Sequence, residues 1–110
     1  MRLHYLKRVF SSGRDISREE AMKVFRRDRF TCQYCGLDGS RSFENWLILT
    51  IDYVHPRAKG GSRKMENLVA ACRPCNLMKG TRVFASVEDA RKHVLAKREE
   101  WRKRFHAETR

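Results

Sequence analysis

Cys72-Arg73-Pro74-Cys75-Asn76-Leu77-Met78-Lys79-Gly80 repeats the spacing of Cys32-Gln33-Tyr34-Cys35-Gly36, with thirty-six residues between Cys35 and Cys72. A tight turn brings the sulfurs of residues i and i+3 together, so each pair can offer two thiolates to one metal. Two pairs complete a tetrahedron and leave no open position, which is the pattern of a structural zinc ion rather than a catalytic one. A redox pair or buried free thiols are the alternatives. Two matched pairs in one short chain argue against both. Zinc bound in this way contributes directly to folding, so chelation is expected to unfold the chain.

The rest of the sequence agrees with a small metal-stapled unit. The 110 residues are read as a single domain, 1–110. So short a chain buries a limited core, and a metal offsets that. Lys and Arg number 25 against 13 Asp and Glu, a formal charge of +12. The excess is not a tail: it is +4 over residues 1–50, +5 over 51–85 and +3 over 86–110. A charge of this size and spread attracts polyanions, so DNA, RNA or an acidic membrane surface are the expected partners. The plain alternative is a soluble basic surface. No apolar run approaches the ~18 residues that would cross a bilayer. Met1–Arg8 has charges but no apolar stretch behind them, so no secretory signal is read there. The cysteines are therefore expected in a reducing, cytoplasmic setting, where metal binding outweighs disulfide formation.

Working outward from the cysteines, Ser17 with Glu20 predicts a capping box that opens a helix to about Arg29, with Ala21, Met22 and Phe25 on its apolar face. Residues 37–45 read as a loop and Trp46 to Val54 as a strand. His55 to Arg63, with Pro56 and Gly60-Gly61, reads as a loop, and Leu68 to Ala71 as a second short strand. Arg73 to Lys79 reads as a knuckle running into a short helix that Gly80 ends. Ser86 with Asp89 opens a long helix to about His106, with Val87, Ala90, Val94, Trp101 and Phe105 on one face. The expected class is α+β. Leu3, Tyr5 and Leu6 read as a short strand or an anchor for the terminus.

The segment between the cysteine pairs is the most specific part of the chain. It contains Ile51-Asp52-Tyr53-Val54-His55-Pro56-Arg57-Ala58-Lys59-Gly60-Gly61, then Asn67-Leu68-Val69, then Cys72 to Gly80. Together with Cys32 to Gly36, this resembles the HNH endonuclease family, of the ββα-metal fold, over roughly residues 22–82. The resemblance implies a core at 16–82, with the helix at 86–106 outside it. It also implies metal-dependent hydrolysis of DNA phosphodiesters. Asp52 and Asn76 would hold a divalent cation, usually Mg²⁺, and Asn67 would brace the hairpin loop. Carboxylate and amide oxygens are hard donors that suit such an ion. Arg57, Lys59, Arg63 and Lys64 around the glycine loop, with Lys79 and Arg82 beside the short helix, are candidate contacts to the nucleic-acid backbone. Double-stranded DNA is the first expectation and RNA the second, with the chain a monomer or a homodimer.

The departure from the family pattern is Tyr53, where the general-base histidine should directly follow Asp52. A phenol with a pKa near ~10 is a poor base at neutral pH. Losing a positioned base costs about 10²–10⁴ in rate. Three readings stand at this point. His55, two residues on, takes over as base; Tyr53 acts itself or positions a metal-bound water; or the domain binds DNA or RNA without cutting. A basic zinc ribbon within a larger ribonucleoprotein is a more distant rival.

Overall fold

The structure is a computed structural model that describes residues 16–110. The expected feature at Leu3, Tyr5 and Leu6 lies outside the described residues.

Helix α1 (Arg18–Arg27) begins with the capping box the sequence announces. The Glu20 amide donates to Ser17 Oγ at 3.1 Å, and the Ser17 amide donates to Glu20 Oε1 at 3.0 Å. Its inner face, Ala21, Val24 and Phe25, is buried. The helix ends on two left-handed residues, Arg29 and Phe30, both at φ 55°. Such a conformation costs a non-glycine residue roughly 1–2 kcal/mol. The Phe30 amide's bond to Phe25 O at 2.8 Å and the stacking of the two rings at 5.9 Å offset it.

The region read as one strand from Trp46 divides in two. Helix α2 (Phe43–Leu47) comes first, capped by Ser42 Oγ on the Asn45 amide, and strand β1 (Leu49–Tyr53) follows. The cap overrides the β preference of Trp46, because one side-chain bond satisfies a helix-start donor that a strand would leave open. Strand β2 (Leu68–Cys72) pairs antiparallel with β1 in a register that sets Asp52 opposite Val69 and Tyr53 opposite Leu68.

Alternation along the hairpin sorts its side chains to two faces. Leu49, Ile51, Leu68 and Ala70 pack with α1 residues Val24 and Phe25, and Tyr53 joins them. Val54, Val69 and Ala71 pack on the other side with the cysteines, Ala90 and Val94. The outer edge of β2 is closed by side chains rather than by a third strand. Ala70 N donates to Asp28 Oδ2 at 2.8 Å, and Arg27 donates to the carbonyls of Met65 and Leu68.

Two single-turn 3₁₀ segments, Arg57–Lys59 and Met65–Asn67, bracket the glycine loop. Gly61 has no substitute there, since a Cβ would lie 1.7 Å from His55 O. Helix α3 (Arg73–Lys79) follows β2 directly and stops at Gly80, which has φ 66°. Helix α4 (Val87–Glu108) is capped by Ser86 Oγ on the Asp89 amide. It buries only Ala90 and Val94. The apolar face expected to continue through Trp101 and Phe105 therefore runs past the body, and those two residues are exposed. Among the described residues, no helix is long and apolar enough to cross a membrane.

Candidate metal centre and nucleic-acid surface

Cys32 and Cys35 sit in the turn after α1, Cys72 ends β2, and Cys75 lies in the first turn of α3. Their four Sγ atoms all lie within 4.8 Å of one another, and Cys35 Sγ stands 3.7 Å from Cys72 Sγ. A tetrahedron with Zn–S bonds of ~2.3 Å has edges of about 3.8 Å, so the donor set fits a zinc ion. The Tyr34 and Cys35 amides each reach Cys32 Sγ at 3.4 Å, as amides do that stabilise a metal-bound thiolate. Arg98 Nη1 donates to Cys75 Sγ at 3.5 Å and brings a cation from α4 to the cluster. Hydrogen bonds from Cys35, Cys72 and Cys75 push the Cys32 thiol below its ordinary value, while hydrogen bonding with Cys32 and Cys35 pushes Cys72 and Cys75 above theirs. Sulfurs this close all ionise together only around a cation.

The cluster builds a second group beside it. Tyr34 lies between Cys32 and Cys35, and its hydroxyl donates to Asp52 Oδ2 at 2.5 Å. Lys79, one helical turn after Cys75, places Nζ 3.5 Å from the same oxygen. That ammonium also donates to Tyr53 O at 3.0 Å and lies 5.9 Å from the Phe84 ring centre. Asp52 is 5% exposed and Lys79 1%. Burial raises the Asp52 carboxyl to about 6, against the pull of Lys79 and the Tyr34 hydroxyl. Burial, with Asp52 beside it, holds Tyr34 well above the usual phenol value.

Two sequence expectations change here. Lys79 does not reach a phosphate, because its ammonium is turned inward as the counter-charge of Asp52. Nor do the residues present fit a Mg²⁺ ion on Asp52 and Asn76. The Asp52 carboxylate is buried against an ammonium, which would repel a divalent cation. Asn76 instead lines a separate depression with Thr50, Arg73, Leu77, Gly80 and Thr81, of which Asp52 is not part.

The two candidate bases are also apart from Asp52. Tyr53 packs on the α1 face of the hairpin, where its hydroxyl is buried with no hydrogen-bond partner. His55 lies past the strand end, with Nε2 2.9 Å from Lys59 O. Asn67 braces that turn: Oδ1 accepts from the His55 amide at 2.8 Å, and Nδ2 donates to His55 O at 3.0 Å and Ser62 O at 2.7 Å. Arg57, Lys59, Arg63, Lys64 and Arg82 are exposed, with the Arg57 guanidinium 5.8 Å above the Tyr53 ring. Sequence reading missed Tyr34 and Arg98. Their spacing to the cysteines carries no signal of either contact, which α4 and β1 supply from elsewhere in the chain.

Residues 32–82 match the HNH endonuclease family. Within this HNH segment fall all four cysteines, the hairpin, the glycine loop and α3; α1 and α4 lie outside it. The chain is also similar to the type 4 apparatus protein DotN of Legionella pneumophila, at 40% identity over 53 residues. Those residues are 48% of this chain and 21% of DotN, so the chain spans about a fifth of that relative's length. No solved structure matches.

Proposed function

We propose that the HNH segment is a zinc-closed nucleic-acid-binding module that does not use the family's metal-dependent cleavage. The single observation that carries this reading is the buried Asp52–Lys79 pair. The carboxylate that should hold the hydrolytic cation is given to a lysine and a tyrosine of the same chain. The absence of a histidine at position 53 points the same way: the tyrosine there buries its hydroxyl on the α1 face of the hairpin. Zinc would supply only structure: it ties the Cys32 turn to the start of α3 and so fixes Tyr34 and Lys79 about Asp52.

Binding would rest on phosphate contacts from Arg57, Lys59, Arg63 and Lys64 on the glycine loop, with Arg73 at the start of α3 and Arg82 just beyond its end. Such contacts position the backbone of DNA or RNA without reading its sequence. The likeness to a protein named for an apparatus, and not for an enzyme, is in keeping with a module that holds rather than cuts.

The family match and the intact bracing of His55 by Asn67 support a second reading, a DNA endonuclease with His55 as base. One experiment separates the two. Plasmid is incubated with the zinc-loaded chain and Mg²⁺, Mn²⁺ or Ni²⁺, and binding is followed in parallel by gel shift. Binding without cleavage is expected. Cleavage that disappears in both Asp52→Ala and His55→Ala would establish the endonuclease and overturn the proposal.

A further inference from the structure

Helix α4 outruns the body it packs on. Its buried residues, Ala90 and Val94, lie in its first half. At ~100° per residue, Trp101 and Phe105 fall within about 20° of Val94 around the helix axis, so they prolong the buried stripe. That prolongation is exposed: Trp101 is 36% exposed and Phe105 56%. The His106 ring lies 5.1 Å from that of Phe105 and widens the aromatic surface.

The charges beside this stripe decide what fits it. On the same projection Arg98 and Arg102 border it on one side, and Lys97, Arg104 and, at the helix end, Glu108 on the other. Glu99 and Glu100 project to the back of the helix. The Arg102–Glu99 pair, at 3.5 Å, is more than half exposed at both ends and holds Arg102 only weakly. Arg98 is turned toward Cys75. With four cations and one carboxylate along the borders, a second copy of the helix would bring mostly cations against cations, which disfavours self-pairing. A polyanion whose own flat faces are apolar meets both requirements.

We propose that the outer half of α4, residues 95–108, docks single-stranded nucleic acid. Trp101 and Phe105 stack on unpaired bases, and Lys97, Arg102 and Arg104 meet the phosphates beside them. This rests on the reading that the chain binds nucleic acid, and it adds the state of the strand. A paired duplex keeps its bases stacked on each other and offers these rings nothing. The two halves of the molecule then divide the work: the glycine loop meets backbone of any kind, and α4 selects unpaired strand.

The test compares the whole zinc-loaded chain with Trp101→Ala/Phe105→Ala, measuring affinity for an oligo(dT) strand and for a duplex. Both rings are exposed, so the variant is expected to keep its zinc and its circular dichroism. Removing two stacking rings should weaken oligo(dT) binding at least tenfold, roughly, while duplex affinity, carried by phosphate contacts, holds within about twofold. In a Trp46→Phe background, oligo(dT) should also quench the remaining Trp101 fluorescence. Oligo(dT) affinity unchanged in the double variant overturns this inference and leaves the binding proposal standing. So does a stable dimer that the double variant dissociates. No binding to either nucleic acid overturns both.

Discussion

Lys79 Nζ lies 3.5 Å from Asp52 Oδ2, and both side chains are almost wholly shut off from solvent. Taking two charges out of water costs several kcal/mol each, and their attraction repays this only when other bonds complete both groups. Here Tyr34 completes the carboxylate, and Tyr53 O with the Phe84 ring completes the ammonium. Such a pair costs most when it is broken from one side. Lys79→Met leaves a buried carboxylate uncompensated and should destabilise the zinc-loaded chain by about 3–5 kcal/mol near neutral pH. Asp52→Asn removes a charge that burial disfavours and should cost less. The double variant should recover part of that loss, giving a coupling energy well above zero in urea unfolding. Additive losses would show that the two groups do not depend on each other.

The same carboxylate gives a pH signature of defined sign. Burial raises Asp52 to about 6, above the ~3.9 of an unfolded chain. The folded state is thus the tighter proton binder between those values. The stability that the protonated carboxyl contributes is present below pH ~4 and lost as pH rises toward about 6. Thiolate protonation acts in the opposite direction, so the measurement is the difference in unfolding free energy between wild type and Asp52→Asn across this range. Wild type should lose ground to the variant as pH rises; a flat difference would show the Asp52 carboxyl to be unshifted.

Zinc removal should unfold the chain rather than merely loosen it, because the four sulfurs join three separate elements. Addition of a strong chelator is expected to abolish the near-ultraviolet dichroism of the aromatic residues. Arg98→Ala leaves the ligands intact but removes a cation from Cys75 Sγ. Loss of such an outer partner typically weakens a metal about 10–100-fold, readable by competition with a zinc indicator. Unaltered zinc affinity would reduce Arg98 to a bystander.

Asn67 should matter more than its half-buried position suggests. Its amide makes three bonds to the glycine turn, two of them to His55. Asn67→Ala leaves those backbone groups short of partners, at roughly 1–3 kcal/mol. Urea unfolding gives the cost, and gel shift should show weaker nucleic-acid binding as the loop loses its shape. Wild-type binding in Asn67→Ala would separate the turn from the binding surface.

Arg63→Ala and Lys64→Ala test the loop itself. Removing one phosphate-bound cation should reduce the slope of log affinity against log salt by about 0.7–0.9. The weakening should be uniform across sequences, since phosphate contacts carry no base information. A sequence-selective loss would point to base recognition instead.

How much of this could be read without coordinates follows from how far each signal reaches along the chain. The Ser17–Glu20 capping box, the Gly80 stop and the two strands at the hairpin were legible, because caps, turns and alternation act within a few residues. Trp46 reads as strand from its own preference, but a local cap, Ser42, outweighs it. The four-cysteine cluster was legible because each half is a short turn, and the tetrahedral demand of a metal would supply the long-range pairing.

By itself, the sequence determined the four clustered cysteines that could hold a metal, the hairpin with its glycine turn and the basic character of the chain. Only the tertiary structure decided what Asp52, Tyr53 and Lys79 do. Which face of β1 each residue occupies is local, but what meets it there is set by α1 on one side and α3 on the other. Burial and charge pairing arise from those contacts between distant segments. They turn a motif lysine into a buried counter-ion and leave the carboxylate beside it already facing a cation.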